Sequence, residues 1–95
     1  MDQKTEYVEK LSAQLVEWDA QIDLLKYKAD SATGEEKLVL EREIAALLQK
    51  HKEVELKLQG ISASSDDTWE DVKAETENIA DQMKSSLRDA IIKIK

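Results

Sequence analysis

The chain has no cysteine, no proline and no phenylalanine, and only two glycines among 95 residues. Without cysteine there is no disulfide framework, no thiolate metal site and no thiol nucleophile. A β-sandwich or barrel of this size needs frequent Gly/Pro turns between aromatic or β-branched strands. With aromatics at 4%, that class is disfavoured. Basic charge is in short supply as well. Fourteen Lys+Arg stand against 21 Asp+Glu, a net charge of -7. A polyanion is therefore repelled on average, no basic stripe reverses this, and nucleic acid is not an expected partner. No uninterrupted apolar run approaches the ~20 residues that span a bilayer. The opening Met1-Asp2-Gln3-Lys4 lacks the basic-then-apolar layout of a signal peptide. These absences lead to the expectation of a soluble, cytoplasmic, all-α protein.

What is present is periodicity. In a first segment, about 5–30, Leu11, Leu15, Trp18, Ile22, Leu25 and Ala29 follow steps of four and three, one face of an α-helix. A second, weaker stripe of Val16, Ala20, Leu24 and Tyr27 lies opposite. A helix apolar on two opposite sides calls for two neighbours, or for a neighbour and a partner chain. In a second segment, about 35–59, Leu40, Ile44, Leu47, His51, Val54 and Leu58 alternate steps of four and three, a heptad seam. Leu48 and Leu56 widen that seam toward a bundle-facing surface.

Between these segments, Asp30-Ser31-Ala32-Thr33-Gly34 is poor in helix formers and reads as a turn. Thr33, with Glu36 three residues on, has the spacing of a capping box. Gly60 stands where a left-handed helix terminator belongs, with Ile61 placed to fold back on the last turn. Ser62 to Asp67 reads as a linker, and Asp67 with Glu70 repeats the capping-box spacing. The third segment, about 67–94, carries an eleven-residue repeat. Val72, Met83 and Ile94 share one register, Lys73, Lys84 and Lys95 a second, and Thr76 and Leu87 a third. Its expected core side is Trp69, Val72, Ile79, Met83 and Leu87, weakened by Thr76, Ala80 and Ala90. Eleven residues over three turns implies a nearly straight or slightly right-handed helix.

Three segments of similar length with short connections predict a single domain folded as an antiparallel three-helix bundle or coiled coil. The alternative is a long helical hairpin in which the first two helices run on through Gly34, since a helical glycine costs only about 1 kcal/mol.

Candidate chemistry is sparse. His51 is the only histidine, with Glu55 one turn on, which is a weak metal signal. A half-buried, hydrogen-bonded seam histidine accounts for it better. The acidic pairs Glu35/Glu36, Asp66/Asp67 and Glu70/Asp71 fall at helix starts, where negative charge offsets the helix dipole. No serine has a histidine placed to activate it, and there is no glycine-rich phosphate loop. The reading is therefore non-enzymatic, with no cofactor and no metal. Trp18 and Trp69 fit as core residues better than as ligand anchors. The lysines beside the third stripe allow one further alternative, a peripheral lipid-surface protein using the eleven-residue repeats of 69–95.

The stretch Tyr7-Val8-Glu9-Lys10-Leu11-Ser12-Ala13-Gln14-Leu15, followed by Glu17-Trp18-Asp19-Ala20-Gln21-Ile22-Asp23, resembles the opening of a family of small bacterial coiled-coil stress-response proteins with a cyanobacterial namesake. Trp69-Glu70-Asp71-Val72-Lys73 is similar to that family's C-terminal Trp-Glu-Asp-Leu-Lys. Family members often repeat the tryptophan eleven residues later, where this chain has Ala80. The resemblance implies a poorly characterised, non-enzymatic, stress-linked protein, and it supplies no catalytic residues. The combined expectation is a coiled-coil structural or interaction protein that works by self-association, with a homodimer favoured, or by binding a protein partner. Its contacts would be made through knobs-into-holes packing. Leu11, Leu15, Trp18, Ile22 and Leu25 would face Leu40, Ile44, Leu47, Val54 and Leu58, with the third segment closing the core.

Overall fold

The three apolar stripes are each too long and too narrow to be buried alone, and the chain resolves this by laying three helices side by side. A computed structural model describes residues 3–94. It contains α1 (Gln3–Ser31), α2 (Gly34–Ala63) and α3 (Trp69–Ile94), with no strand among the described residues. The bundle measures 51 × 19 × 18 Å, as expected for helices of up to 30 residues at 1.5 Å rise per residue. Tyr7 of α1 meets Trp69 of α3, so the starts of these two helices are adjacent. Lys93 near the end of α3 reaches Glu43 near the start of α2. The order is up-down-up, with α2 antiparallel to both neighbours and packed more extensively on each than they are on one another. The three-helix alternative is the one realised, and α1 and α2 are not continuous.

The break between α1 and α2 is short. Only Ala32 and Thr33 lie outside the helices, and Gly34 supplies the reversal with a φ of 63°, a region that costs other L-residues about 1–2 kcal/mol. Thr33 sits at the N-cap in an extended conformation but makes no side-chain cap hydrogen bond. The expected capping box is therefore not formed, and the reversal depends on the glycine.

The far end of α2 corrects the sequence expectation. Gly60 does not terminate the helix and lacks positive φ, and α2 continues through it to Ala63. The cause is Ile61. From Val54 and Leu58 it continues the steps of four and three, and it is fully buried within the helix instead of folding back on it. One more buried side chain, worth about 1.5–3 kcal/mol, outweighs the ~1 kcal/mol penalty of a helical glycine. Ser64 then caps the end. Its N–H donates to the Ile61 carbonyl at 3.1 Å, and its hydroxyl donates to the Gly60 carbonyl at 2.6 Å. The next turn is closed by the Ser65 carbonyl, which accepts from the N–H groups of both Thr68 and Trp69 at 3.2 Å. Asp67 thus lies in this turn, and α3 starts two residues later than expected.

Leu11, Leu15, Trp18, Ile22, Leu25, Leu40, Ile44, Leu47, Val54, Trp69, Met83 and Leu87 are all buried. Leu58, Val72 and Ile79 are only partly covered. Leu48 and Leu56, expected to face the bundle, are exposed, because they lie too far round α2 from the line of Leu40, Leu47 and Val54. Conversely Thr76, Ala80 and Ala90 are buried. Their small size lets the helices approach, and the Thr76 hydroxyl is satisfied by donating to the Val72 carbonyl at 2.7 Å. Of the eleven-residue registers, the side chain of Ile94 and all of Lys95 lie outside the described residues.

Two measurements check this account. Leu47→Ala is expected to cost about 2–5 kcal/mol in urea unfolding, and a loss below about half a kcal/mol would place the seam elsewhere. The two glycines should respond with opposite signs. Gly34→Ala should destabilise by about 1 kcal/mol. Gly60→Ala should stabilise by about 0.5–1 kcal/mol, since the added methyl would meet nothing closer than Val72 Cγ1 at 4.0 Å.

Candidate functional site

Because α1 and α3 run parallel and touch less closely than either touches α2, a groove remains between them. Its first half, about 720 Å³, has Tyr7, Leu11 and Ala80 in its lining. Its walls carry both signs of charge, Glu6 and Lys10 from α1, and Lys73, Glu77, Asp81 and Lys84 from α3. The second half, about 380 Å³, is lined by Trp18, Leu87, Ile91 and Ile92 with Glu17, Gln21, Lys84 and Arg88.

The first half is built around an aromatic pair. The rings of Tyr7 and Trp69 lie 6.2 Å apart at a 38° tilt. The Lys73 ammonium sits 5.2 Å from the Tyr7 centroid and 5.5 Å from that of Trp69, within cation–π range of both. Burial, then the Glu77 and Asp81 carboxylates, push the Tyr7 phenol up to about 12. The Tyr7 phenol therefore stays protonated near neutral pH. Sequence reading had not included Tyr7 in the core stripe, although it lies one turn before Leu11. Lys73 lies against the two rings because it is one turn after Trp69.

His51 is placed by helix geometry on the α1 side of α2, 15% exposed at its side chain. Its Nε2 is 2.9 Å from the Leu15 carbonyl. A carbonyl only accepts, so Nε2 carries the proton and donates. Nδ1 is 3.9 Å from the Glu55 carboxylate. The histidine bonds α2 to the backbone of α1, as expected for a half-buried seam position. Among the described residues no three His, Cys, Asp or Glu side chains are grouped so as to hold a metal ion.

The remaining cross-helix polar contacts lie at the rim. Lys57 donates to Glu75 at 2.8 Å, and this bond holds the Glu75 carboxyl below its ordinary value. Lys93 donates to Glu43 at 2.6 Å, and its ammonium is held above its ordinary value by that bond. Lys50 donates to Gln82 at 2.8 Å, and the Lys4 ammonium reaches the Ser64 carbonyl. Exposed to solvent, such contacts are screened and add little to stability. They set helix register more than they stabilise it.

Two apolar surfaces are left. Val16, Leu24 and Tyr27 are 72%, 49% and 70% exposed on the outer face of α1, where spacing placed them. Leu38, Val39, Leu48 and Leu56 are scattered over the outside of α2. The apolar side of α3 is turned inward, and none of the helices described is long and apolar enough to cross a membrane. Comparison with protein-family models, with curated proteins and with solved structures returned no match to this chain.

The Tyr7 environment carries a pH signature. Its phenol rises from an ordinary 10 to about 12 in the folded state. The corresponding stability is present below pH ~10 and is lost as pH climbs from about 10 to 12. Thermal melts over that interval should fall less steeply for Tyr7→Phe than for the parent chain. Parallel slopes would mean that the phenol is not held in this way.

Proposed function

We propose that this chain is a non-enzymatic helical interaction protein that works by self-association. The observation that carries this reading is the outer face of α1. Val16, Ala20, Leu24 and Tyr27 recur at helical spacing, and Val16, Leu24 and Tyr27 stand largely in solvent although the core face of the same helix is fully used. A continuous exposed apolar stripe marks a contact surface more often than scattered single residues do. Ala13, one step before Val16, and Ala20 are also exposed, and their small side chains allow another helix to come close.

The remaining observations fit the same reading. The polar contacts of the molecule tie its own helices together: His51 to the Leu15 backbone, Lys57 to Glu75 and Lys93 to Glu43. The amphipathic side of α3 is occupied by the core, so a lipid-surface role would need that helix to leave the bundle. The net charge of -7 weighs against an anionic membrane and against nucleic acid. The proposal places the protein in the cytoplasm. It also links the protein to stress, on its resemblance to the bacterial coiled-coil family through 7–23 and 69–73. The smallest assembly is a dimer.

Sedimentation equilibrium tests this directly. The average mass should rise with protein concentration through the micromolar range, and Val16→Glu/Leu24→Glu should return the chain to monomer without lowering its helicity. A strict monomer at high micromolar concentration would remove the proposal.

A further inference from the structure

The outer face of α1 and the second half of the α1–α3 groove have complementary features, and we infer that one copy's α1 ridge seats in the groove of the next copy. This rests on the self-association reading and specifies its geometry as head-to-tail. The ridge runs from Ala13 to Tyr27, about 21 Å along the helix. By i+3 and i+4 spacing, Asp19 and Asp23 border it one turn apart. The border they share with Lys26 and Asp30 has three acids against one base, a net of -2, and the base, Lys26, already pairs with Asp23 at 3.7 Å.

The groove offers the opposite pattern. Lys84 and Arg88 stand on its α3 wall, also four residues apart, against Glu17 on the other wall, a net of +1. Neither cation takes part in any ion pair found among the described residues. Between the walls lie Trp18, Leu87 and Ile91, and Ile92 is 63% exposed at the edge. Two acids one turn apart thus meet two cations one turn apart, about 6 Å in each case, beside an apolar ridge and an apolar floor.

A two-fold contact between the ridges themselves fits less well. An antiparallel pairing centred on Gln21 brings Asp19 and Asp23 of one copy against Asp23 and Asp19 of the other, like charge against like. A ridge-in-groove contact instead joins two different surfaces. Each copy then keeps one free ridge or one free groove, and assembly continues unless the rotation closes a ring.

The experiment follows from that asymmetry. Lys84→Glu/Arg88→Glu reverses the groove but keeps the ridge, and Val16→Glu/Leu24→Glu removes the ridge but keeps the groove. All four residues are exposed, and circular dichroism with thermal melting checks that each variant is folded. In sedimentation velocity each variant alone should be monomeric, with self-association weakened about tenfold or more. Their mixture should form a 1:1 dimer that grows no further. Adding Asp19→Lys/Asp23→Lys to the groove-reversed chain should restore assembly past the dimer. If the parent chain associates while the groove-reversed variant associates equally well, or while the mixture stays monomeric, the head-to-tail geometry falls and self-association stands. If the parent chain is itself monomeric, both fall.

Discussion

Each of the three helices turns one apolar line inward at nearly the same pitch, and no single helix can bury its own. Steps of four and three give a mean of 3.5 residues per turn, close enough to the 3.6 of an α-helix for the line to stay facing a neighbour over about 25 residues. The fully enclosed residues, Ile22, Leu25, Val54, Ile61, Thr76 and Met83, come from all three helices. None of these sites survives the loss of a neighbouring helix. Ala29, Ala80 and Ala90 complete the arrangement by leaving room for the larger side chains opposite. The rim pairs Lys57–Glu75 and Lys93–Glu43 select a register that apolar packing has already made favourable. They do not create it.

That packing also creates the asymmetry from which the functional reading starts. Two short connections force α2 to run against both neighbours, which leaves α1 and α3 parallel. The two intimate contacts belong to α2, and the parallel pair is left with a groove whose edges are charged and whose floor is partly apolar. In the half nearer the chain start, Tyr7, Trp69 and Lys73 pack together beside an open space of about 720 Å³. The other half, about 380 Å³, has Trp18, Leu87 and Ile91 in its lining. The ridge on the back of α1 is a second consequence of the same division, since a helix with two apolar sides can offer only one of them to a three-helix core.

Particular residues show how far residue patterns carry. The positions from Leu11 to Leu25 and from Leu40 to Val54 could be assigned to the core because each is fixed by two or three others at helical spacing. Leu48 and Leu56 have the right chemistry and still face solvent, because hydrophobicity alone does not say how wide a contact will be. Thr76 reads as an interruption but is buried with its hydroxyl bonded one turn back, a solution that depends on a crowded neighbour. Gly60 reads as a stop. Only the pull of Ile61 into the core shows that the helix goes on.

The residue pattern by itself left open whether the first two segments form one helix or two, and it determined the all-helical class, the inner face of each apolar segment and the unpaired stripe on α1. These follow from local spacing and from the absence of proline, which the chain carries along its whole length. Tertiary structure alone decided where α2 ends, which small residues are enclosed, and that His51 donates to the Leu15 backbone. It also decided that an open groove separates the two parallel helices. Each of these depends on the distance between segments far apart in sequence, and such distances are set only when the three helices close on one another.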